Sequence, residues 1–428
     1  MKLKIEDKKN CQKLIKIEVE SQKVKNALDE IYKSIGKDAQ IPGFRKGKAP
    51  RDILQAHYRD KANDEAIRRL IWGVYRDVIK TNDIKPVSYP IIEDVKFNDD
   101  GPLNFAIKID VKPVINLKSY IKIKVKKIPQ EVSEEDINKA LEAVRESSAR
   151  FEPVEERPAR IGDYVVCDYD CKISGKSIDS QKNAWLHVEE NSDLQEITKA
   201  LIGCSKGQIK EVTMALPKDY KQTEYAGKNG NYKITVNEIK QKILPQLDDE
   251  LAKQVGEFEN LEQLKERLKK ELLIKKKQQQ RSDMENQLFD FLLKVHQFDV
   301  PESTVQRQLQ NLVDDAKARM AYQGYKKEEI ESQENKLKQT LAINADRHVK
   351  IFFLLEAIAE KENIDITDEE LNKQIEGMSR VAKQDAEKFR QDVKEKGLTD
   401  SIRKQLLHDK VIDFLLENAK IAPFGKTK

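Results

Sequence analysis

The sequence of 428 residues has few cysteines, and they do not have the spacing of a metal site. Cys167 and Cys171, two of the four cysteines, lie four residues apart in a strand-like run. Their Cα atoms are then about 13 Å apart, too far to share a metal ion or a disulfide. The five histidines are scattered, and no Ser-His-Asp, phosphate-loop or dinucleotide motif is found. We therefore expect free cysteines, with Cys167 and Cys171 packed in a core, and no metal, nucleotide or other cofactor.

The sequence also lacks a long apolar run and a strong excess of one charge. No stretch approaches the roughly 20 apolar residues of a membrane span, and residues 1–7 carry charge where a secretory signal would be apolar. These features predict a cytoplasmic protein with no membrane partner. The net charge is only +4, from 79 basic and 75 acidic residues. A dedicated DNA-binding protein is usually more basic, so we expect no DNA partner and at most a local contact with other nucleic acid.

Helix-breaking residues are scarce in the second half, where the chain after residue 246 has only 2 of the 13 prolines and 5 of the 16 glycines. Residues 246–428 should therefore be almost wholly helical, while the earlier part should be mixed. A length of 428 residues suggests about three domains. We predict an α+β multidomain fold with an α+β domain at 1–112, a connector at 113–149 that packs with the C-terminal domain, a small β-rich domain at 150–245, and the helical domain.

Short motifs predict where several helices begin. Ser21 is placed to cap the helix that follows it. The spacing of Ser133 with Asp136, and of Thr367 with Glu370, is that of a capping box, in which side chain and backbone satisfy each other at a helix start. Each pair stands before an amphipathic run, so two further helices are expected to start there.

Residues 41–50 contain two prolines and two glycines, which predicts a loop. Phe44, Arg45 and Lys46 lie at its tip, with Lys48 and Arg51 close behind. An aromatic ring among cations suits a surface that is anionic and has a crevice, and RNA is the commonest such surface. The alternative is a solvated basic turn without a partner.

Residues 43–50 read Gly43-Phe44-Arg45-Lys46-Gly47-Lys48-Ala49-Pro50, which resembles the signature loop of the trigger factor family of bacterial ribosome-associated chaperones. The resemblance implies docking on the large ribosomal subunit, on protein and rRNA near the exit tunnel, and binding of nascent or unfolded polypeptides. It also implies that a homodimer can form off the ribosome. The implied ribosome-binding residues are Gly43, Phe44, Arg45, Lys46, Gly47 and Lys48.

Residues 150–245 resemble the FKBP-like prolyl isomerase module of the same family. The resemblance rests on Ile161-Gly162-Asp163-Tyr164-Val165, on Leu216-Pro217-Lys218-Asp219-Tyr220, and on the exit Leu244-Pro245-Gln246-Leu247-Asp248-Asp249-Glu250. Prolyl isomerisation needs no acid, base or nucleophile, because a dry aromatic pocket lowers the barrier by favouring the twisted, less polar amide. The implied pocket residues are Tyr169, Ile178, Leu194, Ile197, Tyr220 and Tyr232.

This sequence has Ile178 and Ile197 where the family carries phenylalanines in that pocket. We therefore expect the fold to be retained with weak or absent catalysis. An active isomerase with a reshaped pocket is the alternative, and the side chains that could line it are Tyr169, Trp185, Leu194, Tyr220 and Tyr232. The same residues could also simply fill the core of the domain.

The resemblance implies a chaperone, and the absence of a nucleotide motif predicts that it acts without ATP. A dedicated prolyl isomerase would explain only residues 150–245, and an RNA-binding protein would explain only the basic loop at 43–51. Apolar positions on the predicted C-terminal helices are candidates for client binding, although such stripes usually face a core. The candidates are Leu309, Leu312, Phe352, Met378 and Phe414.

Overall fold

The computed structural model describes residues 2–98, 101–189, 195–217 and 224–423. It divides into two compact units. The first unit contains Met1–Ile128 and Arg281–Lys428, and the second contains Pro129–Gln280. Each unit has its own hydrophobic clusters and is described by itself.

The N-terminal part of the first unit is a mixed layer of helices on a sheet, as predicted. The sheet has four antiparallel strands in the order β1-β2-β4-β3. Alternation along β2 buries Ile15, Ile17 and Val19 against the two helices. The elements are β1 (Lys2–Lys8), β2 (Gln12–Val19), α1 (Ser21–Asp38), α2 (Arg51–Thr81), β3 (Ile91–Lys96), β4 (Leu103–Asp110) and β5 (Lys124–Lys127).

The start of α1 differs from the prediction that Ser21 caps it. Glu20 is the N-cap, and its carbonyl accepts the backbone N–H groups of Lys23 and Val24 at 3.0 and 3.3 Å. Ser21 therefore already lies within the helix, where its side chain is past the capping position. Helix α2 is kinked at Tyr58, whose φ of −126° and ψ of 18° are not helical.

The second unit is built around a five-stranded antiparallel sheet. Its order is β6-β10-β7-β8. The fifth strand, β9, pairs with the first half of β10, and β6 pairs with the end of β10. The 15-residue strand β10 is thus long enough to hold three partners. The elements are α3 (Glu134–Ser147), β6 (Arg150–Pro153), β7 (Asp163–Ile173), β8 (Lys176–His187), α4 (Gln195–Leu201), β9 (Ile209–Ala215), β10 (Asn229–Ile243) and α5 (Asp249–Val255).

Two predictions for this unit are confirmed. Cys167 and Cys171 are free thiols that are fully buried on the inner face of β7. The capping box of α3 is present, because the Asp136 N–H donates to Ser133 Oγ at 3.2 Å and the Ser133 N–H donates to Asp136 Oδ2 at 2.9 Å.

The C-terminal region is almost wholly helical, as predicted, apart from one short strand. That strand, β11, pairs in parallel with β5, and Tyr120, Ile123 and Val125 pack against the helices beside it. The predicted capping box of Thr367 and Glu370 is also present. The elements are α6 (Leu261–Val295), α7 (Glu302–Tyr322), α8 (Lys327–Ser332), α9 (Glu334–Glu362), α10 (Asp368–Val381), α11 (Ala386–Glu395), α12 (Thr399–Glu417) and β11 (Lys420–Pro423).

Candidate functional site

The basic segment between α1 and α2 is a loop made of two consecutive tight turns. The Phe44 N–H donates to the Ile41 carbonyl, and the Lys48 N–H donates to the Arg45 carbonyl, each at 3.0 Å. The third position of each turn is glycine, with φ of +89° at Gly43 and +79° at Gly47. Turns of this kind need a residue that tolerates positive φ, and glycine does so at least cost.

Both ends of this loop are anchored while its tip is exposed. Ile41 is buried in the core of the domain and Ala49 packs against the same core, whereas residues 42–48 are exposed. The ring of Phe44 is 40% exposed although it is apolar. The fold therefore presents the tip in a defined position on two rigid helices, an arrangement that suits recognition.

The cationic side chains near the tip differ in whether they form ion pairs within the protein. Arg51 pairs with Asp29 and lies 5.1 Å from the centroid of the Tyr32 ring, so it is engaged within the fold. Lys46 Nζ lies 3.2 Å from Asp38 Oδ1 in an exposed pair, which is worth little in water. Within the described part of the chain, Arg45 and Lys48 have no acidic partner at ion-pair distance.

A cavity of about 300 Å³ opens in the sheet of the second unit. Three of the predicted pocket residues line it together: Tyr169, Ile197 and Tyr232. Ile178 packs against the same core but does not line the cavity. Leu194 and Tyr220 lie outside the described residues.

The walls of this cavity are mainly apolar, with one polar edge. The Tyr169 hydroxyl contacts Asp179 Oδ2 at 3.2 Å and Gln181 Oε1 at 3.4 Å, and the centroids of the Tyr169 and Tyr232 rings are 6.1 Å apart. Among the described lining residues there is no histidine, cysteine or lysine. Such a cavity can hold an apolar side chain and exclude water, which is what prolyl isomerisation requires.

Other wall residues were not predicted as a group. Trp185 of β8 was expected to line a pocket and does line this cavity, but Ala184 of β8, Met214 of β9 and the following Leu216 were not predicted there. Only the sheet order, with β10 between β9 and β7, brings these chain segments together. A single sequence carries no local signal for that pairing.

The structure places the five predicted client-binding residues in different surroundings. Leu309 and Leu312 on α7 are half-buried, and Phe352 and Phe414 pack against core clusters. Met378 is exposed to 38%. Large apolar side chains that the sequence did not single out are more exposed: Tyr322 at 95%, Ile343 at 79% and Val381 at 86%.

The described residues contain neither a candidate metal site nor a helix that could span a membrane. No cluster of three or more His, Cys, Asp or Glu side chains there could hold a metal ion. No helix in the described ranges is both long and apolar enough to cross a membrane.

Comparison with known proteins covers nearly all of the chain. Residues 1–144 match the family model for bacterial trigger factor protein, residues 260–417 match the model for its C-terminus, and residues 155–241 match the model for FKBP-type peptidyl-prolyl cis-trans isomerase. The trigger factor of Caldicellulosiruptor bescii is 32% identical over 428 residues, spanning 98% of this chain and 97% of the relative. That of Acetivibrio thermocellus is 33% identical over 430 residues, spanning 98% and 100%.

A solved trigger factor chaperone, described for promiscuous substrate recognition in folding and assembly activities, matches with a TM-score of 0.50 and 26% identity. The match covers 97% of this chain and 99% of that one. Its extent agrees with the similarity to the whole-length relatives.

A mixed N-terminal domain, an FKBP-type module and a helical C-terminal region together define a ribosome-associated chaperone with a prolyl isomerase domain. The similarity extends along almost the whole length of the relatives, whereas a dedicated isomerase or an RNA-binding protein would explain only one segment. The chain belongs to the trigger factor family. The predicted family, fold class and function are thereby confirmed.

Proposed function

We propose that the loop at 41–50 is the element that docks this chaperone on protein and rRNA of the large ribosomal subunit near the exit tunnel. The observation that supports this most directly is an exposed Phe44 ring beside two cations on a loop anchored at both ends. Gly43 and Gly47 set the turns, and the contacts come from the side chains between and after them. The proposed docking residues are Gly43, Phe44, Arg45, Lys46, Gly47 and Lys48.

Docking of this kind combines two physical terms. The cations neutralise phosphates and release counterions, so binding weakens as salt rises. The ring supplies apolar contact that salt does not screen. In cosedimentation with purified ribosomes, raising salt from about 50 to about 200 mM should reduce the bound fraction steeply, because several phosphate contacts are lost together. A bound fraction that does not change with salt would contradict an rRNA contact.

We further propose four functional segments: a docking domain at 1–112, a connector at 113–149, an isomerase-like domain at 150–245 and a helical chaperone domain at 246–428. The buried clusters support this division. One cluster contains residues between Ile5 and Val111, and another contains residues between Val154 and Ile239. The protein would act in the cytoplasm without ATP, and a homodimer off the ribosome belongs to the same proposal.

The isomerase-like domain is proposed to have at most weak activity. Tyr169, Ile197 and Tyr232 would contact the proline-containing segment, because they share one cavity. Ile178 packs against the same core without lining the cavity. Replacing family aromatics by isoleucine removes ring contacts that would favour the twisted amide. The parts predicted for Leu194 and Tyr220 remain predictions.

Client holding is assigned to the helical region and its connector. In the second unit, Ile137, Leu141 and Val144 of α3 pack with Ala252 and Leu264 of α5 and α6. In the first unit, the strand β5 packs against the C-terminal helices. These contacts support the expectation that residues 113–149 fold together with residues 247–428.

A shortened protein that joins residues 113–149 to residues 247–428 should still suppress the aggregation of an unfolded test protein. Light scattering measures the suppression, and circular dichroism shows whether the fragment is folded. A folded fragment that leaves aggregation unchanged would show that client holding lies elsewhere.

A further inference from the structure

A second cavity, of about 620 Å³, lies within the first unit among helices α6, α7, α9 and α12. It is separate from the docking loop and from the isomerase-like domain. Its lining combines aromatic rings with polar and cationic side chains, contributed by Thr304 and Arg307 of α7, Phe352 of α9 and Lys404 and His408 of α12. None of these residues belongs to the ribosome-docking or isomerase machinery.

Two polar atoms in this lining are buried without a hydrogen-bond partner among the described residues: Thr304 Oγ1 and His408 Nε2. Buried polar groups are nearly always hydrogen-bonded, because an unmade bond costs free energy. Two such atoms in the wall of one cavity indicate that a polar group from outside can complete them.

The fixed charges of the cavity leave one cation without a partner. Arg347 Nη1 lies 2.5 Å from Asp290 Oδ1, and Lys404 Nζ lies 3.8 Å from Glu356 Oε1. Glu356 is also held by Lys112 at 3.2 Å, so its charge is shared between two lysines. Arg307 has no acidic partner at ion-pair distance within the described ranges. The cavity therefore carries an excess of positive charge.

Besides its positive charge, the cavity has an apolar wall of aromatic rings. The ring of Phe352 meets those of Phe353 and His408 edge to face, with centroids 5.3 and 4.8 Å apart. Lys404 Nζ lies 5.4 Å from the centroid of the Phe352 ring. Apolar surface beside an unpaired guanidinium favours a ligand that is anionic at one end and apolar at the other.

We propose that this cavity binds a segment of client polypeptide that presents a carboxylate next to an aromatic or large aliphatic side chain. The inference deepens the proposed client holding and rests on it. Arg307 donates to the carboxylate, the Thr304 hydroxyl and the His408 Nε2–H complete their hydrogen bonds on the same ligand, and the apolar side chain lies on Phe352. A neutral segment of the same shape fills the apolar part but leaves these donors without an acceptor.

The test uses the full-length protein and two fluorescein-labelled ten-residue peptides that differ in one position. One carries Phe-Glu at its centre and the other carries Phe-Gln, and fluorescence anisotropy gives both dissociation constants. Because Arg307 is exposed, its ion pair with the peptide is partly screened. We expect the glutamate peptide to bind about fivefold more tightly, a difference of about 1 kcal/mol.

Arg307→Gln should reduce this preference to less than about twofold, since the uncompensated charge is gone. Arg319→Gln is the matched control, because Arg319 is an exposed arginine of the same helix that does not line the cavity. It should keep the preference. His408→Phe is a second variant that keeps an aromatic ring and loses the hydrogen bond, and it should reduce the preference in part.

Equal binding of the two peptides by the unchanged protein would overturn the proposal, as would a preference that survives Arg307→Gln. If both peptides bind equally and the protein still suppresses aggregation, this cavity assignment fails while the chaperone function stands. Free 3-phenylpropionate is the last arm. If 3-phenylpropionate displaces the glutamate peptide when the two are present at the same concentration, the ligand is a small aromatic acid and the polypeptide assignment is wrong.

Discussion

The substitution Ile178→Phe tests whether the isomerase-like cavity is weak because it lacks aromatic contact. Ile178 is half-buried and packs against the core that carries the cavity, directly before the lining residue Asp179. Because Ile178 packs against this core, we expect a phenylalanine ring at this position to contact the cavity wall. Ile197 is less suitable, because it is 3% exposed and a larger side chain there would overpack the core.

The size of the effect follows from the contact that is restored. An aromatic pair contributes about 0.5 to 1.5 kcal/mol beyond its burial. If that contact forms in the twisted-amide state, kcat/KM for a proline peptide should rise about two- to tenfold. The unchanged protein should stay well below a typical trigger factor, since two rings are missing.

A protease-coupled peptide assay measures both values. The control is Ile209→Phe, the same change at a 55% exposed position of β9 that does not line the cavity, and it should leave kcat/KM unchanged. Family-typical turnover by the unchanged protein would show that the cavity is not weak, because the tyrosines and Trp185 would then suffice. An Ile178→Phe variant that folds normally without any gain would show that ring contact is not what limits the rate.

Further predictions concern stability and pH. Gly47→Ala should destabilise the protein by about 1 kcal/mol because φ is +79° there, whereas Gly73→Ala inside α2, with open space at its Cβ, should stabilise it by up to about 1 kcal/mol, as read from urea midpoints. Lys317 and Lys338 lower the pKa of Glu334 from 4.5 to about 2. The ion pairs of Glu334 with these two lysines therefore stabilise the fold above about pH 4.5, and this stabilisation is lost as the pH falls toward 2. Lys317→Met should raise the Glu334 pKa in a carboxyl NMR titration, and an unchanged value would contradict the pairing.

Local signals predicted the parts of the fold that local physics determines. The capping boxes at Ser133 and Thr367 were found because a few neighbouring residues make the whole motif. The Ser21 cap was wrong because Glu20 stands one residue earlier and its backbone alone can begin the helix. Strands β1 and β11 were not predicted, since β1 is rich in charge and β11 depends on pairing with β5, almost 300 residues earlier in the chain.

The candidate sites were likewise predicted where neighbouring residues carry the signal, and missed where distant segments meet. The docking loop could be recognised because its glycines, ring and cations are contiguous. The isomerase-like cavity was only partly predicted: Tyr169, Trp185 and Tyr232 were expected to line it, whereas Ala184 and Met214 reach it through sheet pairing rather than through sequence spacing. Periodicity also could not separate Phe414, which packs in a core cluster, from Met378, which is exposed. Both lie on amphipathic helices, and only the packing partner distinguishes them.

The exposed tip of the 41–50 loop is proposed to carry ribosome docking. Its most direct test is cosedimentation of the variant Phe44→Ala, Arg45→Ala, Lys46→Ala with purified large ribosomal subunits. A control variant with Trp72, Arg76 and Lys80 changed to Ala removes an equally exposed ring, 43% against 40%, and two exposed cations from α2 of the same domain. The loop variant should fold normally and lose most of its binding, while the control keeps it. Equal binding by the loop variant and the unchanged protein would show that the tip does not carry docking.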